Sequence, residues 1–286
     1  MSSREAETVM RFVLATDAKY WMPTLVTLYS LLEHNSTDPT EIFILCAGAK
    51  RSIRRHLQSL KRLHCNANII VVELKDLAKS TREFKVAHHI TAATYYRFFI
   101  DELLPGNIER IIYLDSDVLV FKSLMELYDI ELGDNVIGAV AEPADKDHLR
   151  AIGLSDEDKY FNAGILVINL REWRRSNISN KLIECAKNNQ STIVWPSQDP
   201  LNIVLSKRWL ELSDDYNLRN CFRHDAVIVH FAGSGKPWHY RNTHPCKELY
   251  WKYIRKTPYR FYVPPDLLRG MLGVAKKRIV SVFKSS

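Results

Sequence analysis

Short apolar runs alternate with stretches of helical period through the first third of the chain. Arg11-Phe12-Val13-Leu14-Ala15-Thr16-Asp17 predicts a buried strand that ends in an acid. Beyond Met22-Pro23, residues Leu25, Leu28, Tyr29 and Leu32 recur at helical spacing. Residues 41–46 predict a second strand. Ile53, Leu57, Leu60 and Leu63 then mark one face of a basic amphipathic helix, and residues 68–73 predict a third strand. Such alternation argues for βαβ units, and so for an α/β fold with a mostly parallel central sheet flanked by helices. Further on, residues 88–104 predict a helix closed by Pro105-Gly106, feeding one apolar strand over 110–121. Strands are expected at 135–141, 160–169 and 226–230. A polar loop is expected at 143–159, with helical stretches around 170–189 and 198–206.

Two carboxylates, Asp115 and Asp117, break into the 110–121 run, where unpaired charge would be costly. In a strand, residues two apart share a face, so the pair can converge on one cation, and oxygen donors suit Mg²⁺ or Mn²⁺. The same spacing occurs at Asp145/Asp147 and Asp156/Asp158, but in polar stretches that read as solvated loops. His230 ends an apolar run and reads either as a nitrogen ligand or as a buried, hydrogen-bonded histidine. After it, Gly233-Ser234-Gly235-Lys236 forms a turn able to bring backbone amides and an ammonium to an anion, without the spacing of a Walker loop. Gly164, inside the strand at 160–169, marks a close approach of ligand or backbone. Arg97, among bulky apolar neighbours, pairs with an acid or phosphate or else snorkels to the surface.

Charge adds a second theme. The net charge is +7 over 286 residues, yet residues 236–286 hold 12 Lys/Arg against 2 Asp/Glu, leaving the rest slightly acidic. From Leu267 onward Leu268, Met271, Leu272, Ala275, Ile279, Val282 and Phe283 recur at helical spacing opposite a basic face. This predicts a basic amphipathic helical tail that lies on an anionic membrane surface or packs on the body. The five cysteines show no metal-type spacing and read as reduced thiols. The polar first residues lack a signal-peptide core, and no apolar stretch is long enough to span a bilayer. The expected organisation is a disordered 1–9, a catalytic domain over 10–256 and a tail over 257–286. The expected location is the cytoplasm, peripherally at the inner face of the membrane, with no nucleic-acid partner.

Leu114-Asp115-Ser116-Asp117, Phe161-Asn162-Ala163-Gly164, Gln198-Asp199 and His230-Phe231-Ala232-Gly233-Ser234-Gly235-Lys236-Pro237-Trp238 follow one another in this order. The chain thereby resembles glycosyltransferase family eight, and within it the bacterial lipopolysaccharide α-galactosyltransferases and α-glucosyltransferases. The resemblance implies a GT-A type fold, a UDP-hexose donor (galactose or glucose), Mn²⁺ or else Mg²⁺, and transfer with retention. It also implies a glycan or glycolipid acceptor such as lipopolysaccharide. Carried over by position, Asp115, Asp117 and His230 would bind the metal, with Ser116 beside them, while Gly233 and Lys236 would hold the diphosphate. Ala15, Asp17 and Tyr20 would receive the nucleoside, and Arg97 would lie against the donor. Asn162, Glu142, Gln198 and Asp199 would serve the sugar and the chemistry, with His89 nearby. Glu142 stands where relatives carry Asp, Ser197 where they carry an acid, and Ala18-Lys19 where Asp and Asn are common. Two rival readings remain: a two-metal phosphohydrolase or nucleotidyltransferase drawing further carboxylates from Asp17, Glu142 and Asp199, or a non-catalytic membrane or nucleic-acid binding module built on the basic tail.

Overall fold

In the computed structural model, which describes residues 8–74, 83–86, 91–219 and 221–267, the first three apolar runs form parallel strands. These are β1 (Met10–Thr16), β2 (Thr40–Cys46) and β3 (Ala67–Glu73), joined by helices α1 (Trp21–His34) and α2 (Arg51–Leu63). β1 and β2 are apolar almost throughout because the sheet is covered on both faces. Val13, Phe43 and Tyr113 belong to the core on one side, and Phe12, Leu14, Ile42 and Ile112 to the core on the other. α2 buries Ile53, Leu57 and Leu60 against the sheet, whereas Leu63, its last residue, is exposed.

Four further strands, β4 (Arg110–Leu114), β6 (Ile137–Ala141), β7 (Phe161–Asn169) and β8 (Trp209–Leu212), complete a seven-stranded sheet in the order β3-β2-β1-β4-β7-β6-β8. β7 alone runs against its neighbours β4 and β6. Its first residues therefore lie at the edge where β1 and β4 end, which is where open α/β sheets place their ligands.

The expected single strand over 110–121 is two strands. β4 ends at Leu114, and β5 (Val118–Val120) enters a second sheet, where it pairs with β10 (Ile228–His230), which also pairs with β9 (Leu218–Arg219). Asp115-Ser116-Asp117 is the turn between the sheets. The Asp115 N–H still donates to Gly164 O at 2.7 Å, but the Asp117 carbonyl already accepts from Phe231 N–H at 3.0 Å. Apolar residues continue across the turn because each sheet buries its own part.

The expected helix over 88–104 is a 3₁₀ helix, Ala92–Phe99, followed by a short α-helix, Ile100–Leu103, among the described residues. Three residues per turn stack Arg97 over Thr94, and the Arg97 Nε–H donates to Thr94 O at 3.0 Å. Within the expected loop 143–159 a helix, Lys146–Ala151, starts at Asp145, whose carboxylate accepts from Asp147 N–H. With Leu149 its one buried residue, it shows no apolar stripe. A helix not foreseen, Lys247–Lys256, buries Tyr250, Tyr253 and Ile254 in a cluster with Met22, Val26, Phe231 and Trp238. The chain beyond it returns to the body, where Asp266 accepts from the backbone N–H groups of Tyr240 and Arg241. No helix among the described residues is long and apolar enough to cross a membrane. His89 and the tail helix expected beyond residue 267 lie outside the described residues.

Candidate functional site

The ends of β1, β4 and β10 and the start of β7 surround a cavity of about 650 Å³. A volume of that size suits a small-molecule site. Its lining includes Asp115, Asp117, Glu142, Gln198, His230 and Lys236, brought together from across the chain.

Each carboxylate of the acidic pair is held by a cation on one oxygen. Arg97 Nη2 donates to Asp115 Oδ1 at 2.7 Å, and Lys236 Nζ donates to Asp117 Oδ2 at 2.5 Å. Arg97 is almost fully buried. Its Nη1 donates to Ala163 O, and its guanidinium lies 4.3 Å from the centre of the Tyr113 ring. The arginine is thus paired with an acid, not snorkelling. The remaining oxygens turn to one point: Asp117 Oδ1 is 3.5 Å and Asp115 Oδ2 3.8 Å from His230 Nε2. These three donors lie within 4.8 Å of one another and form the one cluster of His, Cys, Asp and Glu side chains among the described residues fit to hold a metal ion. Two carboxylates and an imidazole, open toward the cavity, fit a divalent cation that keeps free positions for a ligand. Burial would raise the Asp117 pKa, but Lys236 and His230 outweigh it and hold the carboxyl below its usual range. Burial pushes the Tyr113 and Tyr20 hydroxyls up, so both stay protonated.

His230 fits here because β7 has no side chain at Gly164. A Cβ on that residue would stand 2.3 Å from His230 Cε1. The close approach marked by the strand glycine is therefore that of the imidazole.

Glu142 and Gln198 face each other across the other end of the cavity. Gln198 Nε2 donates to Glu142 Oε2 at 2.8 Å, Gln198 Oε1 accepts from Ala163 N–H at 3.0 Å, and Asn162 Nδ2 donates to Glu142 Oε2 at 3.1 Å. Arg219 Nε lies 3.5 Å from Glu142 Oε1. Ser197, in place of an acid, shares a hydrogen bond with Thr94.

Lys236 is buried on Asp117 and on the Phe231 carbonyl, with Gly233 beside it at φ +79°, a left-handed conformation that favours glycine. Ala15 and Tyr20 also line the cavity beside the acidic turn, where Ser116 Oγ donates to Ala15 O at 2.7 Å.

Two expected site residues do not reach the cavity wall. Asp17 accepts from Lys19 and Tyr20 N–H and shapes the entry to α1. Asp199 is fully buried behind the wall, bound by Tyr160 OH at 2.6 Å, His148 Nε2 at 2.9 Å and the backbone N–H groups of Val194 and Trp195. Sequence reasoning missed Tyr160, His148, Arg219 and Asn217. Asn217 is buried between Tyr216 and Leu218, and its one sequence signal is an amide between apolar neighbours.

Comparison with known proteins identifies the family and the fold. Residues 11–242 match the family described as Glycosyl transferase family 8. General stress protein A of Bacillus subtilis is 27% identical over 273 residues, covering 87% of this chain and 94% of that protein. Lipopolysaccharide 1,3-galactosyltransferase of Salmonella typhimurium is 31% identical over 212 residues, 68% of this chain and 63% of that enzyme's length. Among solved structures, the galactosyltransferase LgtC in complex with donor and acceptor sugar analogs superposes with a TM-score of 0.78 at 26% identity, covering 91% of this chain and 99% of that one.

Proposed function

Because the chain belongs to glycosyltransferase family eight and has its GT-A type fold, we propose that it is a retaining, metal-dependent hexosyltransferase that moves galactose or glucose from a UDP-sugar to a glycan or glycolipid acceptor, as in lipopolysaccharide assembly. One observation carries this reading: Asp115 Oδ2, Asp117 Oδ1 and His230 Nε2 converge beside Lys236 and Gly233 at the cavity wall. Mn²⁺, or Mg²⁺ in its place, held by these three donors would supply Lewis-acid stabilisation of the diphosphate.

Lys236 lies where it can exchange part of its bond to Asp117 for a phosphate oxygen. At an effective dielectric near 20 a unit-charge pair about 4 Å apart is worth roughly 4 kcal/mol. The amides around Gly233 approach without a side chain in the way. Ala15 and Tyr20 take the nucleoside, and Asn162, Glu142 and Gln198 take the hexose.

The bond from the anomeric carbon to the diphosphate oxygen breaks, and the acceptor oxygen bonds to the same face of the sugar. The acceptor's proton passes to the departing phosphate oxygen. Glu142, the carboxylate beside Gln198, is engaged by Gln198 and Asn162 and faces Arg219, so it orients the sugar and is not free as a nucleophile. This favours a front-face route sheltered by Gln198 over double displacement. The two-metal phosphohydrolase reading needs more carboxylates at the metal, and neither Asp17 nor Asp199 turns there.

The basic tail (257–286) is proposed to bring the enzyme to the anionic inner face of the membrane, in support of which Phe261 is 82% exposed beside Arg260. Truncation after Pro265 then abolishes sedimentation with anionic vesicles and spares catalysis. A panel of UDP-sugars tested for UDP release with Mn²⁺, with and without acceptor and chelator, decides the main reading. Full activity in chelator overturns it.

A further inference from the structure

His230 is a ligand only if the lone pair of Nε2 faces the metal, which requires the neutral ring to carry its proton on Nδ1. A chain of amides sets this. It begins at two groups whose polarity is fixed by their chemistry, the Gly164 N–H, which can only donate, and the Glu142 carboxylate. Gly164 N–H donates to Asn162 Oδ1 at 2.9 Å, and Asn162 Nδ2 donates to Glu142 Oε2 at 3.1 Å. With Asn162 so oriented, its Oδ1 also accepts from Asn217 Nδ2 at 2.9 Å, which turns Asn217 Oδ1 toward the imidazole. His230 Nδ1 lies 3.0 Å from that oxygen and must donate to it. Asn217 is 1% exposed, so water does not compete for either of its ends.

We propose that Asn217 is a positioning residue for the metal centre: it accepts the Nδ1 proton of His230 and so aims the Nε2 lone pair at the point between Asp115 and Asp117. The proposal rests on the metal-binding reading of the site. It also ties the two ends of the cavity together, since the hydrogen bonds run from His230 through Asn217 and Asn162 to Glu142 and Gln198. Removing a partner that orients a metal-bound histidine typically weakens metal binding by about 10–100-fold.

The first test needs no variant of Asn217. The ring ¹⁵N resonances of His230, assigned by their loss in His230→Gln, are recorded with Mg²⁺ and UDP bound. A protonated Nδ1 and an unprotonated Nε2 are expected; a proton on Nε2 overturns the proposal. The second test compares Mn²⁺ affinity in the presence of UDP, read from the electron paramagnetic resonance of free Mn²⁺. Asn217→Leu keeps the volume and loses the acceptor, and its affinity falls by about 10–100-fold. Asn217→Asp keeps an acceptor for Nδ1–H, loses the donor to Asn162, and holds Mn²⁺ at least as tightly as the parent. Equal loss in both variants shows that the acceptor for Nδ1–H is not what Asn217 supplies and overturns the proposal, and unchanged affinity in Asn217→Leu refutes it outright. If the parent takes up no Mn²⁺, the metal reading fails, and the ring-nitrogen spectrum of the metal-free protein still decides which nitrogen Asn217 engages.

Discussion

Asp115-Ser116-Asp117 and Asp145-Lys146-Asp147 share a spacing and little else. The first pair lies in the turn between two sheets, with Arg97, Lys236 and His230 packed against it. The second opens a short helix: Asp145 accepts from Asp147 N–H, while Asp147, 86% exposed, meets Arg150 at the surface. Spacing alone therefore carries no chemistry. In the first pair each carboxylate spends one oxygen on a buried cation and turns the other to a common point. In the second the oxygens go to the backbone, an arginine and water.

The sharpest way to break this contrast is to neutralise one member of each pair. Asp117→Asn is expected to lower UDP release with Mn²⁺ by on the order of 10²–10³-fold, the loss seen when one preorganised electrostatic group is removed. It also strands Lys236, whose side chain is only 6% exposed, and costs about 3–5 kcal/mol in thermal unfolding of the metal-free protein. The sign of the pH effect follows. The folded pKa of Asp117 is depressed, so its contribution to stability is present above the unfolded value of about 3.9 and is lost as pH falls below it. A pH series of melting curves should show that acid loss in the parent and not in Asp117→Asn.

Next in size is Gly164→Ala. The added methyl meets the His230 ring at Cε1 and at Nδ1, the atom that Asn217 holds, so the imidazole must leave its position. Mn²⁺ affinity should fall by about 10–100-fold while Asp115 and Asp117 stay where they are. Normal Mn²⁺ binding would show that His230 is dispensable to the contrast between the pairs.

How much of this was legible in the residues depended on what each stretch packs against. β1 and β2 are buried under helices and β3, at the edge of the sheet, is half-buried, and all three read plainly as apolar runs. The turn at Asp115–Asp117 could not be seen, because apolar residues flank it in both sheets. The 3₁₀ helix at Ala92–Phe99 is set by Arg97 reaching its partners, a tertiary cause that overrides local period. β9 is two residues long and is made by its neighbour β10. In the site, charge and chemistry singled out Asp115, Asp117, His230 and Lys236. Asn217, Tyr160 and His148 act through hydrogen bonds to other side chains, and nothing in an amide or a phenol announces such a partner.

A smaller effect is expected at Gly233→Ala. The space around it is open, so the cost is that of the left-handed backbone, about 1–2 kcal/mol, with weaker UDP binding in calorimetry if the turn reshapes. The smallest belongs to the second acidic pair. Asn starts helices as well as Asp does, so Asp145→Asn should leave melting temperature and UDP release close to the parent, and a large loss there would erase the contrast between the two pairs.

The bond between Asp117 and Lys236 spans 119 residues. A ribosome adding about 5–20 residues each second needs roughly 6–24 s to bring the lysine after the aspartate. Through that interval β4 and β1 can already pair, since both have been made, while the acidic turn between the sheets still waits for β10 and for its ammonium. The centre of the enzyme is thus the last part of its sheet edge to close during synthesis, and a nascent chain halted before residue 236 has Arg97 to pair with Asp115 but presents Asp117 without its ammonium to whatever cation or chaperone meets it first.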